Sequence, residues 1–167
     1  MKQIIITFIL LVSFFASVGQ DLDSANKKVV ADFIYCIKNQ KKDKLISNIS
    51  FPFERSYPIP QIKNKQEFLK RYKEVFDDTL SKMIINSDIN NDWSAVGWRG
   101  IMLMNGVLWI DYDGRLIAVN YESPVESKMR TELIEKDRSN LYSSIKKFAE
   151  PIHILETSKY RIRIDDM

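Results

Sequence analysis

The chain has 167 residues, 45% of them apolar and 28% charged, with a formal net charge of +3, one cysteine and one histidine. This length and apolar content support one domain with its own core and exclude a disordered chain. The small, evenly spread charge excludes a nucleic-acid footprint, and a single cysteine excludes an internal disulfide.

Taken in order, Lys2 precedes an apolar run from Ile4 to Phe15, followed by the small residues Ala16, Ser17 and Gly19. A charged start, a short apolar stretch and a small-residue site predict a secretory signal peptide over 1–19, cleaved after Gly19. The run of about 12 apolar residues falls short of the ~20 needed to span a bilayer. No cysteine lies near the cleavage site, so the expectation is an exported protein, periplasmic or secreted, that is not a lipoprotein and has no membrane span in its mature chain. A first helix is predicted from Ser24 to Asn39, with Asp23 or Ser24 as cap and an apolar stripe through Val29, Val30, Phe33, Ile34 and Ile37. Cys36 lies on it and reads as a buried, inert thiol. The basic run Lys38 to Lys44 falls at a helix end, where cations are favourable, and reads as a solvated terminus. A short helix follows over Lys42 to Asn48.

Three prolines between Phe51 and Pro60 exclude a helix or a central strand and predict an extended or edge segment. Asn64 and Glu67 have the form of a capping box. They open a predicted third helix whose stripe runs Phe68, Leu69, Tyr72, Val75, Phe76, Leu80 and Met83. Asp77-Asp78 reads as solvated surface, and the turn-rich run Ser87 to Asp92 resembles a calcium loop in composition only.

The stretch Trp93 to Tyr121 predicts a three-stranded antiparallel meander. Asn105-Gly106 and Asp113-Gly114 suit two-residue turns. The implied registers pair Met102 with Trp109, Met104 with Val107, Gly100 with Asp111, and Ile110 with Ile117. Trp98, Met102, Met104, Trp109, Asp111, Leu116 and Asn120 then share one face. Ile101, Leu103, Leu108, Ile110, Ile117 and Val119 share the other. Both faces are apolar, so both need cover. Ser123, Pro124 and Glu126 open a fourth helix running towards Ala149, with a break expected near Asp137 to Asn140. Ile152 to Glu156 is a weak strand. Lys159 to Asp165 alternates Tyr160, Ile162 and Ile164 with Arg161, Arg163 and Asp165, as an edge strand with one wet face does.

The order of helix, short helix, proline-rich segment, long helix and meander, with Phe51-Pro52-Phe53, Phe68, Tyr72, Phe76, Gly100, Met102, Gly106 and Trp109, resembles the NTF2-like (cystatin-like) superfamily over roughly Asp21 to Ser123. It is most similar to NTF2-like domains of exported bacterial proteins, most of them without an assigned activity. The resemblance implies an α+β fold in which a curved antiparallel sheet wraps a long helix as a cone. Residues 20–123 would form that domain, and 124–167 a C-terminal helix and strand packing on it.

The superfamily contains carboxylate-using isomerases and dehydratases as well as binding modules, so fold alone does not choose. Asp111 is the candidate carboxylate, with Tyr72 and Asn120 as hydrogen-bonding neighbours; the alternative is that Asp111 primes the Asp113-Gly114 turn. Tyr35, Tyr72, Trp98, Met102 and Trp109 are the candidate ligand-binding residues. His153 stands alone, no Cys/His metal spacing or nucleotide-binding glycine motif is present, and no cofactor is expected. The leading expectation is a non-catalytic module in the cell envelope that binds a protein partner or a small apolar ligand. The alternative is a pocket enzyme. The second sheet face is left to the fourth helix, a partner or a second copy as a homodimer.

Overall fold

The structure, a computed structural model, describes residues 21–139 and 151–165. The predicted signal peptide and the predicted helical run over 140–149 lie outside the described residues. The architecture is α+β, with a four-stranded antiparallel sheet and five α-helices among the described residues.

Local signals place the helix starts. Helix α1 (Ser24–Lys38) is capped by Asp23, whose side chain accepts the Asn26 N–H, and α2 is Lys42–Ser47. Helix α3 (Lys65–Val75) begins at Asn64, whose side chain accepts the Glu67 N–H at 3.0 Å; Glu67 in turn reaches the Lys63 N–H rather than that of Asn64. The predicted long helix is interrupted. Phe76 ends α3, and Asp77 caps a new helix, α4 (Asp78–Asn86), by accepting the Leu80 N–H at 2.8 Å. Asp77 also accepts the Tyr121 hydroxyl at 2.9 Å, so it is a structural junction and not solvated surface. The proline-rich segment forms no edge strand: it bends, turns at residues 57–58 and makes one isolated bridge, Phe53 to Ile62, while Ile49 just before it bridges Leu116.

The sheet runs β1 (Trp93–Ala95), β2 (Ile101–Leu103), β3 (Leu108–Ile110) and β4 (Leu116–Val119) in sequence order. Strand β1 was not among the three expected; a 3-10 turn over Gly97–Arg99 returns it antiparallel to β2. Met102 pairs with Trp109 as predicted. Both turns are longer than two residues. Met104 takes φ 51° and its N–H donates to the Asp92 carbonyl, so Met104 to Val107 form a four-residue turn and the Met104–Val107 pair is not made. At the second turn Asp111 and Arg115 close around three residues, with Gly114 at φ 86°. A three-residue loop ending in a left-handed glycine adds a residue to one strand and shifts its register. Ile110 therefore pairs with Leu116, not Ile117. Leu116 turns inward and is buried, while Ile117 is turned out, reversing the expected faces.

The inner sheet face (Ile101, Leu103, Leu108, Ile110, Leu116, Val119) and the apolar stripes of α1 to α4 form one contiguous core. Phe68 sits at its centre, edge-on to Phe53 at 5.7 Å and to Tyr72 at 6.3 Å.

Helix α5 (Pro124–Ser139) starts as expected, with the Ser123 hydroxyl accepting the Glu126 N–H. It packs against α3. Strands β5 (Pro151–Glu156) and β6 (Arg161–Asp165) form a separate two-stranded sheet and not an edge of the main one. Its faces are also the reverse of expectation. Ile162 and Ile164 are exposed, whereas the Arg163 side chain is 8% exposed and salt-bridged to Asp137.

Candidate functional site

The predicted catalytic trio is not brought together. Asp111 belongs to the second turn. Its carboxylate accepts from the Tyr112 N–H at 2.8 Å and from Arg115 at 2.6 Å, and its carbonyl accepts the Gly114 N–H. The hydrogen bond to Asp111, then the charge of Asp113, push the Arg115 guanidinium further above its ordinary value. These are the contacts of a residue that shapes a turn. Asn120 lies towards the opposite end of β4, where its amide donates to the Gly106 carbonyl at 2.7 Å and holds the four-residue turn. Tyr72 lines a cleft among the helices, away from both. Nor does Gly100, expected to leave space opposite Asp111, leave any. It has φ 97°, and a Cβ there would lie 2.5 Å from the Ile110 carbonyl oxygen and 3.2 Å from Ile117.

The candidate binding residues separate into three places. Tyr35 is exposed on α1. Tyr72 is in the helical cleft. Trp98, Met102 and Trp109 belong to the sheet's outer side. Met102 and Trp109 face each other across β2 and β3 and are half-buried, with the Trp109 indole packed over Gly106. Trp98, in the 3-10 turn, is 90% exposed, and its ring lies 5.7 Å from the Arg99 guanidinium. It borders an open cleft of about 380 Å³ shared with Glu54, Arg99, Asp111, Arg115 and Ile117. An apolar centre ringed by charges of both signs is the anatomy of a contact surface. Trp98, Met104 and Ile117 stay exposed on the described structure, while α5 packs against α3 and the Arg55 segment.

Cys36 is buried, as expected for an inert thiol, beside a cleft of about 190 Å³ that also has Asp32, Lys44 and Asp113 in its wall. His153 is exposed on β5, opposite Ile164. In the run Ser87 to Asp92, Asp88 accepts the N–H groups of Asn90 and Asn91, and Asp92 accepts that of Asp88. Those carboxylates close a turn. Among the described residues no cluster of three or more His, Cys, Asp or Glu side chains is placed to hold a metal ion. No described helix is long and apolar enough to cross a membrane.

Sequence reasoning missed one cluster altogether. Arg55, from the proline-rich segment, makes a bidentate ion pair with Glu126 in the first turn of α5, Nε to Oε1 at 2.7 Å and Nη2 to Oε2. Its Nη1 and Nη2 also donate to the carbonyls of Val119 and Tyr121. Both side chains are essentially inaccessible, at 1% and 0% exposure. Arg71 lies alongside. It bonds Glu74 at 2.7 Å and the Pro60 carbonyl at 2.8 Å, and its Nη2 stands 3.9 Å from Glu126 with no hydrogen bond of its own. Both Glu126 oxygens accept from Arg55, so this cluster fixes α5, and the group it leaves over is the Arg71 Nη2. The signal for it, a glutamate at the third position of a helix, was read as a cap; that its carboxylate turns to an arginine 71 residues away is not local information.

Comparison with known proteins finds no matching family model, no matching curated protein and no matching solved structure.

Proposed function

We propose that this chain is an exported, non-catalytic binding module of the NTF2-like kind, and that its outer sheet face engages a protein partner in the cell envelope. The observation that carries the binding reading is Trp98, 90% exposed beside Ile117, which is also exposed, with Met102 and Trp109 half-buried on the same side of the sheet. Tryptophan is the residue type most enriched at the energetic centres of interfaces, and exposed apolar groups rimmed by charges mark such surfaces. The cleft beside Trp98 is open and shallow, and its rim holds Glu54, Asp111, Arg99 and Arg115. That mixture of charges suits the polar rim of a protein contact better than it suits an enclosed apolar ligand. The NTF2-like part of the reading rests on the order of helices, proline-rich segment and antiparallel strands. Export rests on the Lys2 to Gly19 pattern.

The test is capture from envelope extract of the source cell, comparing the wild-type protein with Trp98→Ala and with a surface control, Lys128→Ala. Native mass spectrometry of the eluate separates a partner protein, a retained small ligand and a second copy of the chain. A stoichiometric protein complex kept by Lys128→Ala and lost with Trp98→Ala is the expected result. Retention of that complex by Trp98→Ala rules the face out. N-terminal sequencing of the exported form reads the cleavage point, expected after Gly19.

A further inference from the structure

The ends of α1 and α2 meet α3 and α4 around a second cleft, of about 210 Å³, on a different part of the surface from Trp98. Lys38, Lys42, Lys73 and Lys82 all contribute to its wall, against a single carboxylate, Asp78. Lys73 is paired with Asp78 at 2.9 Å. The other three ammonium groups have no carboxylate within ion-pair distance among the described residues, although Lys82 acts on Asp78 through its charge. Like charges gathered around one concavity repel one another and raise the local concentration of anions.

Two further features point into the same cleft. Tyr72 is 6% exposed, its ring stacked on Phe76 at 5.4 Å and covered by the Lys42 ammonium at 4.7 Å; its hydroxyl bonds no group among the described residues and is open to solvent rather than sealed in the core. Burial alone pushes this phenol up, which keeps it a proton donor at neutral pH. A tyrosine held this rigidly usually has its hydroxyl satisfied, by protein, water or ligand. Gln40 is the second feature. It follows α1 in the left-handed region at φ 52°, the helix-ending position that glycine fills without strain. Its side chain is in the cleft wall with the hydroxyl-bearing Ser81.

We propose that this cleft binds a small oxyanion carrying at least two negative charges, a phosphate or phosphate ester. The three unpaired lysines supply the charge, and the Tyr72 hydroxyl, the Gln40 amide and the Ser81 hydroxyl supply directed donors. Charge-assisted hydrogen bonds to an anion are about twice as strong as neutral ones, and three ammonium groups favour a dianion over chloride.

The test titrates the full-length protein with inorganic phosphate and pyrophosphate by calorimetry and thermal shift, against sodium chloride at matched ionic strength. Saturable binding with a rise in Tm that chloride does not reproduce is expected. Tyr72→Phe removes a hydroxyl that the described fold does not bond, so the variant should fold and lose on the order of tenfold in affinity. Lys42→Met should lose a comparable factor. Gln40→Gly relieves the left-handed backbone, so its free form should melt at or above the wild-type temperature while binding more weakly. This combination separates a ligand role from a structural one. Vesicles of phosphatidic acid against phosphatidylcholine form the last arm. Binding to the former with a matching loss in Tyr72→Phe assigns the same site to a lipid headgroup rather than a soluble ester. Phosphate and pyrophosphate acting no differently from chloride, with no response to phosphatidic acid, overturns the proposal. So does full affinity in both Tyr72→Phe and Gln40→Gly.

Discussion

From α1 to β4 the elements meet through apolar contacts. Phe53, Phe68 and Phe76 are fully buried with Ile101, Leu103, Leu108 and Ile110, and the stripes of four helices close over one sheet face. Helix α5 and the β5–β6 hairpin meet the rest differently. The only fully buried residue within α5 is Glu126, and the turns that follow carry the part-buried Met129, Leu133 and Ile134 together with Arg130, bonded to the Tyr57 carbonyl at 2.9 Å, and Asp137, paired with Arg163. Arg163 also lies over the Tyr57 ring at 5.9 Å. One region is held by non-directional burial, which tolerates repacking; the other adds directed, buried charge pairs to a thinner apolar contact, and those pairs fix a single geometry. Both halves of the chain are helix and strand, so the difference arises from what their inward positions carry and not from secondary structure.

The largest effect should fall on Glu126. Removing it leaves the Arg55 guanidinium buried without its counter-ion, and Glu126→Ala should destabilise by about 3–5 kcal/mol. In the apolar region Phe68→Ala should cost a similar amount, about 3–5 kcal/mol, through a cavity. The two losses differ in how they are rescued. Replacing both partners, Arg55→Met with Glu126→Leu, removes the need for a counter-ion and should return stability to within about 1–2 kcal/mol of wild type. No single second substitution should do the same for Phe68→Ala. Urea unfolding of the two single variants and the double variant measures this. A double variant as unstable as Glu126→Ala would show that α5 depends on the arginine's bonds to the Val119 and Tyr121 carbonyls rather than on the ion pair.

How much of this was legible in the sequence follows the range of the interactions. The starts of α1, α3 and α5 were readable because their caps, Asp23, Asn64 and Ser123, act within three residues. The pairing of Met102 with Trp109 was readable from one turn signal. The break at Asp77 was hidden because Val75, Phe76, Leu80 and Met83 keep helical spacing across it, and the hydroxyl of Tyr121 that helps fix it lies 44 residues on. Asp-Gly serves two- and three-residue turns alike, and that one residue decided whether Leu116 or Ile117 faces the core. The alternation in YRIRID was read correctly as a strand and wrongly as to its dry side, since only the partner Asp137 makes Arg163 the inward residue. The lysine cleft escaped notice because its residues come from helices distant in the chain, and Lys38 to Lys44 read locally as a solvated helix end.

A middle-sized effect sharpens the comparison inside the apolar region, where shape rather than charge is demanding. Gly100→Ala would place a Cβ 2.5 Å from the Ile110 carbonyl in a backbone with φ 97°, which an L side chain rarely adopts. The cost should be about 2–3 kcal/mol, read as a lower urea midpoint. Arg115→Ala, at the turn beside it, removes two ion pairs that are half-exposed and should lower the urea midpoint far less. A cost for Arg115→Ala equal to that for Gly100→Ala would mean that exposed charge pairs hold this region as firmly as the shape of its core does.

The smallest effect is a pH dependence at the Lys73–Asp78 pair. The hydrogen bond from Lys73, then its charge, hold the Asp78 carboxyl below its ordinary value of 3.8. A carboxylate whose pKa is lowered by folding contributes stability that is fully present above the unfolded value and is lost as pH falls through the folded one. The urea midpoint of the wild-type protein should therefore exceed that of Asp78→Asn by a constant small margin from about pH 7 to about pH 5, and the margin should close below about pH 4. The pair is exposed, so added salt should shrink the margin at neutral pH as well. The buried Arg55–Glu126 pair is shielded from that screening, and the cost of Glu126→Ala should hold nearly constant over the same salt range. A salt response of equal size at both pairs would mean that water reaches Glu126, and with it that α5 is held no differently from an exposed turn.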